Sequence, residues 1–412
     1  MKGFALNTLK ALCLVFVAVL SSCGKDYYDV IPQRSPAVAE INLAGVAAED
    51  KGELKALFKQ MPFAEGVDLS CPAYAFITPS GYYGIVFAVA DDDEIEKSVA
   101  ASKTVTRKSE EWGLNWAVWH GAWQLAWNDD ALVVIGPFVE TGREALRTMV
   151  SAMFNSSDGV SKGNLFAKLG GIDGSVKVVA RLSSVPEIVR KLIAIPIADE
   201  ADADSVIVLS SVAFADGSVS VKNELEMSGG GSPAASPVVK PYTGTFDSYI
   251  FNASAIAVVV SGIRGSALAK RVESDKDLHT LLSSAGGADL LADVKNFDGD
   301  AAMSVFQSSS GKSFSCDMTA TVKTATGEAV RTYRSADARK ELGKSLQSVP
   351  KGMLCYAEVY GDKLSELPAV AALQEGAITR FLKWCGRITF AARDASHSEL
   401  RFYEDKKRGD IQ

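Results

Sequence analysis

Four stretches of the chain share one layout: a short apolar strand pattern, a polar break, then apolar residues at helical spacing. They begin at Ala37, Val176, Ala255 and Leu354. A period of two that gives way to a period near 3.6 asks for a strand followed directly by a helix. Between these stretches lie strand-like runs joined by short breaks, at residues 206–214 and 218–227, 301–307 and 313–324, and 387–393 and 399–404. Ala215-Asp216-Gly217 is one such break, and short turns of this kind join antiparallel neighbours. The sequence therefore predicts an α+β protein, with antiparallel meander sheets and flanking helices. The recurrence of the layout predicts two related halves, 37–228 and 246–412, from an internal duplication. The Gly/Ser/Pro-rich stretch 229–245 reads as the connector between them.

Helices are expected at 50–61, 141–154, 164–169, 186–193, 266–272, 277–283, 288–294, 336–347, 364–373 and 378–384. Asp91-Asp92-Asp93-Glu94 opens a further one, through about Ala101. It reads as an acidic helix start that complements the dipole, in preference to a cation site. Trp112, Trp116, Trp119, Trp123 and Trp127 then follow at near-helical spacing. Gly113 and Gly121 inside the run argue for a hairpin instead. A two-residue turn at Gly121-Ala122 would set Trp116 opposite Trp127 and Val118 opposite Leu125, with His120 on the same apolar face. A third strand, 131–135, would set Leu132 beside Trp127 and Val134 beside Leu125. In that register Trp119 lies on the other face, opposite Gln124. Trp119, and with it Trp112, is then a candidate for stacking on a sugar ring, with burial in the core as the alternative.

The first 22 residues carry Lys2 and Lys10, an apolar run from about Ala11, and small residues before a cut site at Leu20-Ser21-Ser22-Cys23. This is the pattern of a secretory signal, and the run is too short for a bilayer-spanning helix of about 20 residues. It resembles the lipobox of bacterial lipoproteins. That resemblance implies cleavage before Cys23 and acylation of its thiol, which would attach the chain to a membrane. Residues 23–36 then read as a tether. Gly24-Lys25-Asp26 resembles the charged export signals of Bacteroidetes surface lipoproteins, with one acidic residue where those have a run. Ile31-Pro32 leads into the strand at Ala37, and Val349-Pro350-Lys351-Gly352 into the one at Leu354. The order of elements and these Pro-led strands resemble a Bacteroidetes cell-envelope lipoprotein family catalogued as a domain of unknown function. The resemblance implies an outer-membrane address, on the periplasmic or cell-surface face, and carries no catalytic residue across.

The net charge of −7 argues against nucleic acid as a partner, because phosphate binding wants a basic face. After signal removal four cysteines remain besides Cys23: Cys71, Cys316, Cys355 and Cys385. Cys316 and Cys355 alternate with apolar residues and read as free thiols packed on strand faces, with a Cys355–Cys385 bridge left open. Gly311-Lys312-Ser313 lacks the earlier Gly of a phosphate loop, and Asn296-Phe297-Asp298-Gly299-Asp300 departs from a calcium loop at its later positions. His120, His279 and His397 are scattered, so no zinc pattern forms, and no metal or other cofactor is expected. No nucleophile elbow occurs, although paired carboxylates would leave no local mark. The expectation is a lipid-anchored envelope module that binds or scaffolds without catalysis, its partner an envelope protein or glycan. A surface glycan-binding protein is the alternative, and an envelope hydrolase the third reading.

Overall fold

The computed structural model describes residues 26–49, 58, 61–198, 201–215, 217–246, 250–252, 254–311, 313–336, 342–346, 349–365 and 385–404. The chain divides into two compact units, one of residues 1–35 and 59–163 and one of 36–58 and 164–412. The first strand, β1 (Ala37–Ile41), runs straight into helix α1 (Leu43–Glu49), and both belong to the second unit.

Among its described residues the first unit holds six strands: β2 (Ala73–Ile77), β3 (Tyr83–Ala88), β4 (Val105–Glu111), β5 (Leu114–Trp119), β6 (Trp123–Trp127) and β7 (Ala131–Gly136). They pair antiparallel in the order β2–β3–β7–β6–β5–β4. The unbroken apolar run of β7 suits its central place, and all six of its residues are buried. Strand β4 is the opposite case. It is exposed at every position after Val105 and forms the outer edge. Helix α2 (Asp92–Ala101) starts at Asp91, whose carboxylate accepts the Glu94 N–H at 3.0 Å, and buries Ile95 and Val99. Helix α3 (Arg143–Asn155) buries Leu146, Val150 and Met153, one stripe of its surface.

The second unit adds α4 (Asn164–Lys168), β8 (Val176–Arg181), α5 (Glu187–Ile193), β9 (Val206–Ala215), β10 (Ser218–Met227), β11 (Val239–Lys240) and β12 (Ile250–Asn252). It continues with β13 (Ala257–Arg264), α6 (Gly265–Ser274), α7 (Lys276–Asp293), β14 (Phe297–Gln307), β15 (Phe314–Thr324) and β16 (Gly327–Tyr333). It closes with β17 (Leu342–Ser345), β18 (Cys355–Tyr360), α8 (Gly361–Ser365), β19 (Cys385–Ala392) and β20 (His397–Glu404). Successive antiparallel pairings run β1–β8–β9–β10–β20–β19–β18–β13–β14–β15–β16. Helices α6 and α7 cover one face of β14 and β15 through Leu268, Val272, Leu282 and Leu290 against Ala301, Met318 and Ala320. Tyr242, Phe246, Phe251 and Leu346 cover the other face, over Val258, Val260 and Tyr356.

Two runs of four antiparallel strands lie within this unit. In one set Ala37 faces Ala180, Val176 faces Val212, and Val212 faces Val221. In the other Ala257 faces Val359, Cys355 faces Ala392, and Ala392 faces Ser398. Each set is a run of four antiparallel strands, and the β19–β20 pairing is bulged between Cys385 and Arg387 where β9–β10 is regular. The two sets meet at β10 and β20, which are antiparallel.

The structure is α+β with a large antiparallel sheet, as the patterning predicts. It departs from expectation in several places. Residues 342–345 are not helical but form β17, which pairs with β12. Strands β4 and β16 carry no expected strand pattern, yet both are formed. The stretch read as a connector at 229–245 lies inside the second unit, where Ala198 N–H donates to Ala234 O and Ser236 N–H to Pro196 O. The tether is shorter than 23–36, because the packed body already starts at Tyr27. The helices expected at 50–61, 364–373 and 378–384 fall wholly or mostly outside the described residues.

Candidate functional site

Cys23 lies outside the described residues, which begin at Asp26. Tyr27–Val30 makes a helical turn in which Val30 is buried, and Ile31 after it is fully buried. The Tyr27 hydroxyl donates to Pro72 O at 2.5 Å, and Tyr28 and Tyr27 pack on the Tyr74 ring at 5.2 and 6.0 Å. Asp29 accepts the Ser161 N–H at 3.0 Å. Burial, and then the hydrogen bond to Asp26, push the Tyr28 hydroxyl up to about 12. This segment is thus pinned to the first unit at the end of its sheet where β2 begins.

The tryptophan hairpin is real, but its register is one residue away from expectation. Trp119 faces Trp123, Ala117 faces Leu125, and Trp116 faces Ala126. The turn takes three residues, because His120 and Gly121 both adopt left-handed backbone, at φ 48° and 71°. Histidine is among the side chains that tolerate this region, which the Gly-first turn reading did not allow for. A one-residue slip moves a whole strand to the other face. Trp119, Trp123 and Trp127 accordingly share one face, and Trp116 lies on the other, with Val118 and Gln124. His120 leaves the sheet and sits exposed in the turn. The β6–β7 register is as expected, with Leu132 opposite Trp127 and Val134 opposite Leu125.

The two stacking candidates therefore separate. Trp119 is half-buried, edge-on to Phe63 at 5.9 Å and beside His120 at 5.1 Å. Trp112 is 49% exposed at the tip between β4 and β5, with φ 59°. A bulky residue in left-handed backbone is strained and needs a compensating contact. Arg147 supplies it. Its guanidinium, on a side chain only 8% exposed, lies 5.3 Å from the Trp112 ring and 4.8 Å from that of Trp116. One nitrogen donates to Glu111 at 2.7 Å, while Nε has no hydrogen-bond partner among the described residues. A cation over an indole face contributes about 1–2 kcal/mol when desolvated. Sequence reasoning missed Arg147, because nothing local marks which arginine of a helix will meet a distant hairpin.

Elsewhere, buried charge is tied to structural partners. Glu358, 3% exposed, accepts from the Tyr356 and Tyr360 hydroxyls at 2.7 and 2.9 Å. Burial first, and Glu358 after it, hold both hydroxyls above the ordinary tyrosine range. Asp300, in a stretch expected to be a turn but lying in β14, accepts the N–H groups of Thr243 and Thr245 at 2.9 and 2.8 Å. Its neighbour Asp298 pairs with Lys240 and Lys323, which hold its carboxyl down at about 2. Cys71, Cys316, Cys355 and Cys385 are free thiols, and burial pushes Cys316 and Cys355 up to about 12. No cluster of three metal-ligating side chains occurs among the described residues. An open groove of about 740 Å³ in the second unit is lined by Lys168, Asp173, Ser211, Lys222, Glu224 and His397. It mixes both signs of charge and selects no ligand class.

No protein-family model matches the chain, and no curated protein is similar to it. Among solved structures the chain is similar to TP0453. Crystal form III matches at 13% identity and a TM-score of 0.35, over 50% of this chain and 81% of that one. Crystal form I matches at the same identity and score, over 50% and 80%. Likeness at this level decides neither fold nor function.

Proposed function

We propose that the chain is a lipid-anchored cell-envelope lipoprotein, a binding or scaffold module without catalysis, held to the outer membrane through Cys23. The observation that carries this reading is the spacing of anchor and body. A lipobox-like Leu20-Ser21-Ser22-Cys23 ends four residues before Tyr27, where the packed chain begins. A cleaved, acylated Cys23 would stand just outside the fold with nothing to unravel. Among the described residues no helix is long and apolar enough to cross a membrane. Several acyl chains, at about 0.8 kcal/mol per buried methylene, would supply a firm attachment. The buried carboxylates support a non-catalytic role in so far as their hydrogen bonds are spent on tyrosines and backbone. Metabolic labelling with an alkyne palmitate tests the reading. The wild-type chain is expected to label and Cys23→Ala to lose the label; label that survives the substitution contradicts it.

The matching antiparallel orders β1–β8–β9–β10 and β13–β18–β19–β20 support an internal duplication of a strand–helix–hairpin unit. The sequence layout at Ala37, Val176, Ala255 and Leu354 supports it independently.

A second reading rests on Trp112. Its inner face is taken by Arg147 and half of its surface stays in water, the arrangement of a stacking platform for an envelope glycan. Tryptophan fluorescence titrated with soluble glycans should respond in the wild type and not in Trp112→Ala. An equal response in both removes the platform.

A further inference from the structure

The short leash between anchor and fold fixes which end of the first unit meets the membrane. We infer that the end carrying Tyr27, Leu69 and Pro72 lies against the bilayer, an inference that rests on acylation of Cys23. Three residues, and so four steps of the chain, separate Cys23 from Tyr27; a fully extended chain covers at most about 3.6 Å per step, so the two α-carbons lie within about 14 Å. Tyr27 is fastened to Pro72. Pro72 precedes β2, and Asp68 N–H donates to Ala88 O at the close of β3. The strand registers carry this level across the sheet: Phe87 faces Leu132, Leu132 faces Trp127, and Trp127 faces Asn115. Leu69, 38% exposed, and the Trp112 tip therefore crown the same end of the strands as the anchor. The opposite end holds Tyr83 across from Gly136, and beyond Gly136 the chain turns out through Val139, 72% exposed. Four residues of strand, about 13 Å, separate the Asn115 and Trp119 levels before the turns at either end add to it.

The anchored end suits a headgroup layer in one respect and resists it in another. Tyrosine and tryptophan sit well where one side of the ring is apolar and the other wet. Asp26, Asp68, Asp129 and Asp130 crowd the same end and are repelled by anionic lipid. The leash sets the approach regardless, because its length does not depend on contact energy.

The natural thiols make the test direct. Cys71 is partly exposed at the anchored end, whereas Cys316, Cys355 and Cys385 are buried. The acylated chain is reconstituted in phosphatidylcholine vesicles with a donor dye on Cys71, or on Val139→Cys in a Cys71→Ser background, and an acceptor lipid in the bilayer. Transfer from Cys71 should exceed that from position 139 by roughly twofold or more, given the length of the strands between them. A Gly/Ser insert of about 30 residues between Gly24 and Lys25 should abolish the difference, since such a chain reaches much further. Equal transfer from the two positions, or more from position 139, overturns the inference. So does a difference that survives the insert, which would take the cause away from the leash. Vesicle flotation scores acylation separately: a chain that does not float overturns the parent reading, and this one with it.

Discussion

Asp298 sits where β14 is bulged, between the ammonium groups of Lys240 and Lys323. Its carboxyl is held at about 2 in the fold against 3.8 in the open chain. A folded-state value below the unfolded one adds stability above the unfolded value, lost as pH falls through the folded one. Asp298→Asn should therefore flatten the loss of stability between about pH 4 and pH 2, followed by urea midpoints. An unchanged slope would show that the two lysines do not act through this carboxylate. At the same scale, Cys316 and Cys355 are legible from alternation alone, because a free thiol on an apolar strand face behaves as a small hydrophobe. The Arg147–Trp112 contact is not, because it joins residues brought together only by the fold.

Elements are readable where burial writes a period and unreadable where it does not. Strands β8, β9, β10 and β18 announce themselves by alternation or by solid apolar runs. Strands β4 and β16 are exposed along most of their length, so solvent imposes no pattern on them. The hairpin register differs from expectation by one residue because two left-handed turn positions, His120 and Gly121, lengthen the loop. The tether is shorter than expected for a related reason. Tyr27-Tyr28-Asp29-Val30-Ile31 has no period, yet its packing on Tyr74 and Pro72 makes it part of the first unit. Ile31→Ala should therefore destabilise that unit by about 2–5 kcal/mol, the range for emptying a buried aliphatic site. Thermal unfolding followed by near-ultraviolet circular dichroism checks it. A midpoint within error of wild type would return these residues to the tether.

The α+β class and most of the sheet of the second unit are present in the patterning, and so are the four strand–helix starts, whose strands pair as β1–β8 and β13–β18. The division of the chain into units is not. The first unit takes in residues 59–163, from between Phe58 and Asn164 of the second, and insertions of that kind leave no mark in composition. What the molecule does is proposed from its anchor, and the anchor is one thiol. Intact mass and N-terminal peptide mass of the chain extracted from membranes measure it directly. The account predicts a mature chain that begins at Cys23 and carries the added mass of a diacylglyceryl group on that residue. An unmodified Cys23, or a mature terminus at any other residue, would contradict it.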